Sequence, residues 1–362
     1  MINIKRPVVL GIMASLALGM VATAPAAHAE PVSDSYVAVG SDTLEASMDA
    51  LTNGTKATGS SVRIRANGQN VANYDAFGSA KIQSKSTGPF YVRPQGSGNG
   101  VAALIASVRG TGFNGTDITN QVDIARSSSS AGSNASATGN LVYVPYGRDA
   151  ITYVYKPVVG HESDLANLTT AQLKGLYDGT ITTIGSTTVN VMIPQSGSGT
   201  RKTFLSDIGV STDSTCGVTA CTTSTVPEND ASQLTVAGSL ICFATSNWIA
   251  QSNGYQVTTI TGGQLLGTID GNAAATGTAP SLVPGATFYG TGYGRDVFLV
   301  VEYARINPSD PKYDATLAGL VNSGVSTSLT NFGTLPSQPG AVKTKFGFLA
   351  PSSTTPVRAW AW

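Results

Sequence analysis

Three times along this chain an apolar, strand-like run gives way to a short turn of glycine and hydroxyl residues, and then to a helix with an apolar stripe. "SYVAV" leads through "GSDT" into "LEASMDAL", with Leu44, Met48 and Leu51 at i, i+4 and i+7. "PFYVRP" leads through "QGSGNG" into "VAALIASV", which sets Val101, Leu104, Ile105 and Val108 on one helical face. "VNVMIP" leads through "QSGSGT" into "RKTFLSDIG", with Phe204, Leu205 and Ile208 as the stripe and Gly209 as the stop. Strand period followed by helix period is the pattern of an α/β protein, and in an open α/β sheet the strand ends converge on one crevice.

The turns have a chemistry in common. A helix N-terminus leaves several backbone N–H groups unpaired and carries about half a positive charge. Glycine lets an anion come close to the backbone, and Ser or Thr hydroxyls cap the helix or donate to a ligand. A fourth segment, "VDIARSSSSAGSNAS", ends a strand and offers the Arg126 guanidinium beside four hydroxyls, the pattern either of another pocket wall or of a Ser-rich linker. None of the three turns is a nucleotide loop, because "GSGTRK" lacks the G-x-x-x-x-G-K-[ST] spacing and "GSGNG" lacks G-x-G-x-x-G. There is no G-x-S-x-G elbow, so a serine hydrolase is poorly supported. Past the first thirty residues the only histidine is His161, which leaves no His-containing ligand cluster at metal spacing and no conventional base. The expectation is a binding protein with no catalytic residue, no metal and no cofactor.

With 362 residues, 41% hydrophobic and 12% charged, the chain can bury a large core, and two lobes are expected. Residues 1–29 read as a signal peptide, with Lys5 and Arg6, an apolar run to about Val21, and an Ala27-His28-Ala29 cleavage site before Glu30. That predicts a secreted, extracellular or periplasmic protein. Without Lys5 and Arg6 the chain carries two more acidic than basic residues, so bulk charge recruits neither nucleic acid nor an anionic membrane. Any anion has to be held locally. Export permits a disulfide; Cys216 and Cys221 flank "GVTA" and are the favoured pair, and Cys242 in "SLICFA" reads as a buried free thiol.

"VGSDTLEASMDAL", "GSGNGVAALIA", "DIARSSSS", "YGRDAITYVYK", "NLTTAQLKGLYDGTIT" and "IPQSGSGTRKTFL" occur in that order, and "FGFLAP" follows at 346–351. The series resembles the phosphate-type substrate-binding proteins of ABC importers. The resemblance implies the type II periplasmic-binding-protein fold, two α/β lobes joined by two crossover strands with the ligand between them. Lobe 1 would comprise 30–145 plus 300–362 and lobe 2 would comprise 146–299. "YVPYGRDAITYVY" and "GRDVFLVVEYARI" would be the crossovers, and the Gly-Arg-Asp in both is either a paired hinge feature or a coincidence.

Carried over residue by residue, the resemblance implies ligand contacts at Thr43 in the first turn, Ser97 and Gly98 in the second, Ser127 after the "DIA" strand, and Ser198, Gly199 and Thr200 in the third, followed by Arg201. The chain departs from the family at two positions. Ser128 stands where many phosphate binders place an Asp that accepts the ligand's proton, and Pro194 stands where they place an Arg. Asp42, Glu228 or Asp230 is then the candidate acceptor, and Arg126 the candidate guanidinium. The bland alternatives are a helix N-cap for Asp42 and a solvated loop for "PEND". The resulting expectation is a monomeric receptor for phosphate that hands it to an ABC permease. Other oxyanions such as sulfate or molybdate, a ligand-free cell-surface interaction protein, and a secreted phosphatase remain as alternatives.

Overall fold

The computed structural model describes residues 35–210 and 226–362, so the expected signal peptide, Cys216 and Cys221 lie outside the described residues. Among the described residues a nine-stranded sheet runs through both lobes. Its strands are β1 (Tyr36–Gly40), β2 (Val71–Asn73), β3 (Ile124–Ser127), β4 (Leu141–Tyr155), β5 (Asn190–Met192), β6 (Ser239–Ala244), β7 (Leu265–Leu266), β8 (Gly294–Glu302) and β9 (Val357–Ala359). The order is β5-β6-β4-β8-β3-β1-β2, with β7 and β9 also paired to β4. β1 lies parallel to β2 and β3, and β5 parallel to β6. β4 and β8 run antiparallel to their neighbours and to each other.

The principal helices are α1 (Glu45–Asn53), α2 (Gly96–Arg109), α3 (Thr170–Asp178), α4 (Gly199–Asp207), α5 (Thr245–Ser252), α6 (Ala315–Val321) and α7 (Pro339–Lys345). Alternation along β1 shows how they cover the sheet. Ala38 joins Met48 and Leu51 of α1, Leu317 of α6 and Val342 of α7 on one face, whereas Val37 and Val39 join Leu104 of α2 on the other. With both faces covered, β1 has no solvent side, which is why it reads as a continuous apolar run. The core of the second lobe gathers Ile151 and Tyr153 of β4, Leu173 and Leu176 of α3, and Phe204 and Leu205 of α4. Cys242 on β6 is a free thiol buried in it, and burial pushes its pKa up.

α3 opens on a capping box. Thr169 accepts from the Gln172 N–H and Gln172 reaches back to the Thr169 N–H, while Gly179 in left-handed geometry closes the helix. This is the "NLTTAQLKGLYDG" stretch. "PFYVRP" departs from expectation. Only Tyr91–Val92 is extended, and it pairs with Lys81–Ile82 in a hairpin outside the main sheet. Pro89 and Pro94 bracket the run, and proline has no N–H to give to a central ladder.

β4 and β8 are the two crossovers, and their Gly-Arg-Asp triplets face each other. Arg295 is in register with Asp149 and Asp296 with Arg148. Arg295 Nη2 lies 3.0 Å from Asp149 Oδ2, and Arg148 Nη1 lies 3.3 Å from Asp296 Oδ1. Antiparallel pairing of two copies of one triplet sets each Arg opposite the other copy's Asp. A register shift between Val297 and Phe298 follows immediately on β8, a bulge of the kind that bends a strand.

Candidate functional site

The turn after β1 is held by close packing. Gly40 has φ +118°, and a Cβ there would strike the Arg126 carbonyl and the Cα of Gly100 on α2. Only glycine allows β1, β3 and α2 to converge so tightly. Beyond it, the Ser41 N–H donates to the Arg126 carbonyl at 3.1 Å and the Thr43 N–H to Ser41 Oγ at 3.3 Å, which fixes Asp42 and Thr43 at the sheet end. The N-cap position of α1 is Leu44, with no side-chain cap, so Asp42 does not cap this helix.

The second lobe brings the N-terminus of α4 to the same place. Ser198 is its N-cap, accepting from the Arg201 N–H at 2.9 Å, and its hydroxyl donates to Glu228 Oε2. The Gly98 N–H donates across the cleft to the Gly197 carbonyl at 3.2 Å, setting the openings of α2 and α4 face to face. Thr43 Oγ1 of the first lobe lies 3.4 Å from Thr200 Oγ1 of the second. Ser97 Oγ accepts from the Ser128 N–H at 2.9 Å and lies 3.0 Å from Ser128 Oγ. A Cβ on Gly199 would collide with the hydroxyls of Ser97, Ser128 and Ser129, so this residue sits where the lobes touch.

Arg295 is the guanidinium at the centre of these turns, and sequence reasoning did not nominate it. Nη2 donates to Thr200 Oγ1 at 2.8 Å and to Thr43 Oγ1 at 3.4 Å, and Nη1 donates to the Ser128 carbonyl at 3.1 Å. Asp149 holds it from behind and itself accepts from the Ser246 N–H at the start of α5. The available signal was the repeated Gly-Arg-Asp.

Arg126 is a correction to the sequence expectation. It is fully buried, and its guanidinium turns into the first lobe, donating to the carbonyls of Ser41 and Tyr74 at 2.8 Å each and also to Asn73 Oδ1 and Glu45 Oε2. With Nε, Nη1 and Nη2 all engaged, it ties the loops together and makes no side-chain hydrogen bond into the cleft. Ser127 likewise turns its hydroxyl to the Ser129 carbonyl at 2.7 Å, and Arg201 Nη1 donates to the Pro194 carbonyl at 2.9 Å.

Two carboxyl groups meet across the cleft. Asn229 Nδ2 donates to Asp42 Oδ2 at 2.9 Å, and Glu228 is bound through Oε2 by Ser198. The other oxygens, Asp42 Oδ1 and Glu228 Oε1, are buried as well. Burial first, then the charge of Glu228 and a hydrogen bond to it, hold the Asp42 carboxyl well above the usual range. The "PEND" segment is therefore no solvated loop at Glu228 and Asn229, whereas Asp230 caps a 3-10 turn, accepting from the Ser232 N–H at 3.0 Å.

Glu45, Asp49 and Asp75 also bring oxygens within 4.8 Å of one another, a cluster that sequence spacing did not disclose because Asp75 arrives from beyond β2. Glu45 Oε2 accepts from the Ala76 N–H and from Arg126, and Asp49 Oδ1 accepts from Asn73 at 2.8 Å. Burial, outweighing Arg126 and aided by Asp75 and Asp49, pushes Glu45 up to about 8. These contacts serve the α1–β2 junction.

The family model described as the PBP superfamily domain matches residues 25–322. No curated protein matches the chain in sequence. Among solved structures, a protein from Clostridium perfringens determined with bound phosphate is 13% identical and covers 88% of this chain and 99% of its own, with a TM-score of 0.50. An ABC-type phosphate transport receptor from Vibrio cholerae is 18% identical over 88% of this chain and 100% of its own, with a TM-score of 0.48. The mixed α/β sheet, shared between two lobes through β4 and β8, accords with a family match that spans most of the sequence, and the chain belongs to the PBP superfamily.

Proposed function

We propose that this protein is an exported solute receptor that clamps a protonated tetrahedral oxyanion, phosphate before others, for delivery to an ABC permease. Its jaws are the lobes formed by 30–145 with 300–362 and by 146–299. One observation carries the reading: the helix-opening turns of both lobes meet at the Arg295 guanidinium, which donates to Thr43 of one and Thr200 of the other. Hydroxyls, helix N-termini and a fixed positive charge suit an anion. The carboxyl of Asp42 beside them suits an anion that still carries a proton, since sulfate has none to give. That the Clostridium perfringens protein of the same fold was determined with phosphate agrees with this reading.

Turnover finds little support. Among the described residues the histidine is His161, half-exposed in a loop 3.9 Å from Asp164, so the Ser198 hydroxyl, bound to the Glu228 carboxyl, and Thr43 have no histidine beside them. Calorimetric titration with phosphate, arsenate, sulfate and molybdate tests the proposal. Phosphate and arsenate should bind and sulfate should bind at least tenfold more weakly. Heat from none of the four would leave an interaction protein that keeps the fold without the ligand.

A further inference from the structure

Beside the cleft lies a cavity of about 640 Å³. That is the size of a small-molecule site, several times the room a bare tetrahedral anion fills. Ser97, Gly98, Ser127 and Gly199 line it, so the turns of the oxyanion cleft form one of its walls. Its apolar lining comes from Val101 and Ile105 of α2 with Trp360 beyond β9. Lys202, one turn into α4, stands at the second-lobe side.

Trp360 is held there against its backbone preference. Its φ is +60°, the left-handed region where a bulky side chain is a true outlier. Hydrogen bonds on both sides impose that conformation: the Trp360 N–H donates to the Asn134 carbonyl at 3.0 Å and the Asn140 N–H to the Trp360 carbonyl at 3.0 Å. The indole Nε1 donates to the Tyr143 hydroxyl at 3.2 Å, which fixes the ring plane, and both rings line the cavity. Those bonds make the indole a fixed part of the cavity lining.

We propose that the cleft and cavity together take a phosphate monoester whose organic part carries a planar ring: the phosphoryl group at the turns, the ring against Trp360. This rests on the reading of the cleft as an oxyanion site. An ester is favoured over two separate ligands because the turn residues Ser97, Gly98 and Gly199 border both spaces. A planar ring is favoured because the lining includes an immobilised indole, and ring-on-ring stacking is the contact it offers.

Titration of the intact protein with inorganic phosphate, methyl phosphate, phenyl phosphate and adenosine 5′-monophosphate decides it. At least one ring-bearing ester should bind tenfold or more tightly than methyl phosphate. Trp360→Ala should cut that ratio to within threefold. Because Trp360 is anchored by backbone bonds and its loss risks misfolding, Ala102→Trp provides a second arm: Ala102 is exposed on α2 and lines the cavity, so a bulky ring there fills the space from outside. It should lower ring-ester affinity at least tenfold relative to inorganic phosphate. Binding of inorganic phosphate with no preference for either ring ester overturns this inference and leaves the oxyanion reading standing. Binding of none of the four overturns both.

Discussion

Arg126 and Arg295 are both buried guanidinium groups near the same turns, yet they do different work. Arg295→Ala leaves Asp149 buried with only the Ser246 N–H, which should lower stability by about 3–5 kcal/mol and abolish anion binding. Adding Asp149→Asn should recover part of the stability, read as a urea midpoint, and none of the binding. Asp42 supplies a second test. Its folded-state pKa is raised, so its contribution to stability is complete below about pH 4, the unfolded value, and is lost as pH rises through the raised one. Glu45, pushed up to about 8, acts in the same sense. Urea midpoints measured without phosphate should therefore fall between pH 5 and pH 8, and Asp42→Asn should flatten the slope. The same variant should bind phosphate more weakly and sulfate relatively better; unchanged selectivity would remove Asp42 as the acceptor. The donors of the three turns were legible from Gly, Ser and Thr because helix openings are local. Arg295 was not, since it reaches Thr43 from 252 positions away and only strand register brings the two together.

At the scale of elements, the opening of α4 decides how closely the lobes approach. Gly199→Ala places a methyl group against Ser97, Ser128 and Ser129 while favouring the helix itself by up to about 1 kcal/mol. Circular dichroism should show α4 retained, and titration should show phosphate affinity at least about tenfold weaker, a loss of about 1.4 kcal/mol. Undiminished affinity would mean that the contact at Gly199 has no part in the bound form. Elements with a full period were readable beforehand: the "YVPYGRDAITYVY" run is a strand almost entirely buried, and "GVAALIASV" lies within α2. The short "PFYVRP" strand misled because composition registers β-propensity without registering which sheet has room for it. Cross-pairing of the two Gly-Arg-Asp triplets could be noticed as repetition, but its meaning depended on antiparallel register.

For the whole molecule, the strand that joins the lobes also belongs to both of their interiors. Over fifteen residues without a break, β4 contributes Val142, Tyr143 and Val144 to the first-lobe cores and Ile151, Tyr153 and Tyr155 to the second. β8 pairs with it from Gly294↔Ala150 to Glu302↔Leu141, which ties the same strand to the first lobe by a ladder broken once, at the Val297/Phe298 bulge. Neither core can lose its order without stripping one end of a ladder that the other requires. The two halves should therefore melt as one unit: a differential scanning trace should show a single heat-absorption peak whose van't Hoff enthalpy matches the calorimetric one. Two resolved peaks would mean that the shared strand separates the lobes energetically. A single peak means that a substitution at the far edge of one lobe lowers the melting temperature of the other by the same amount.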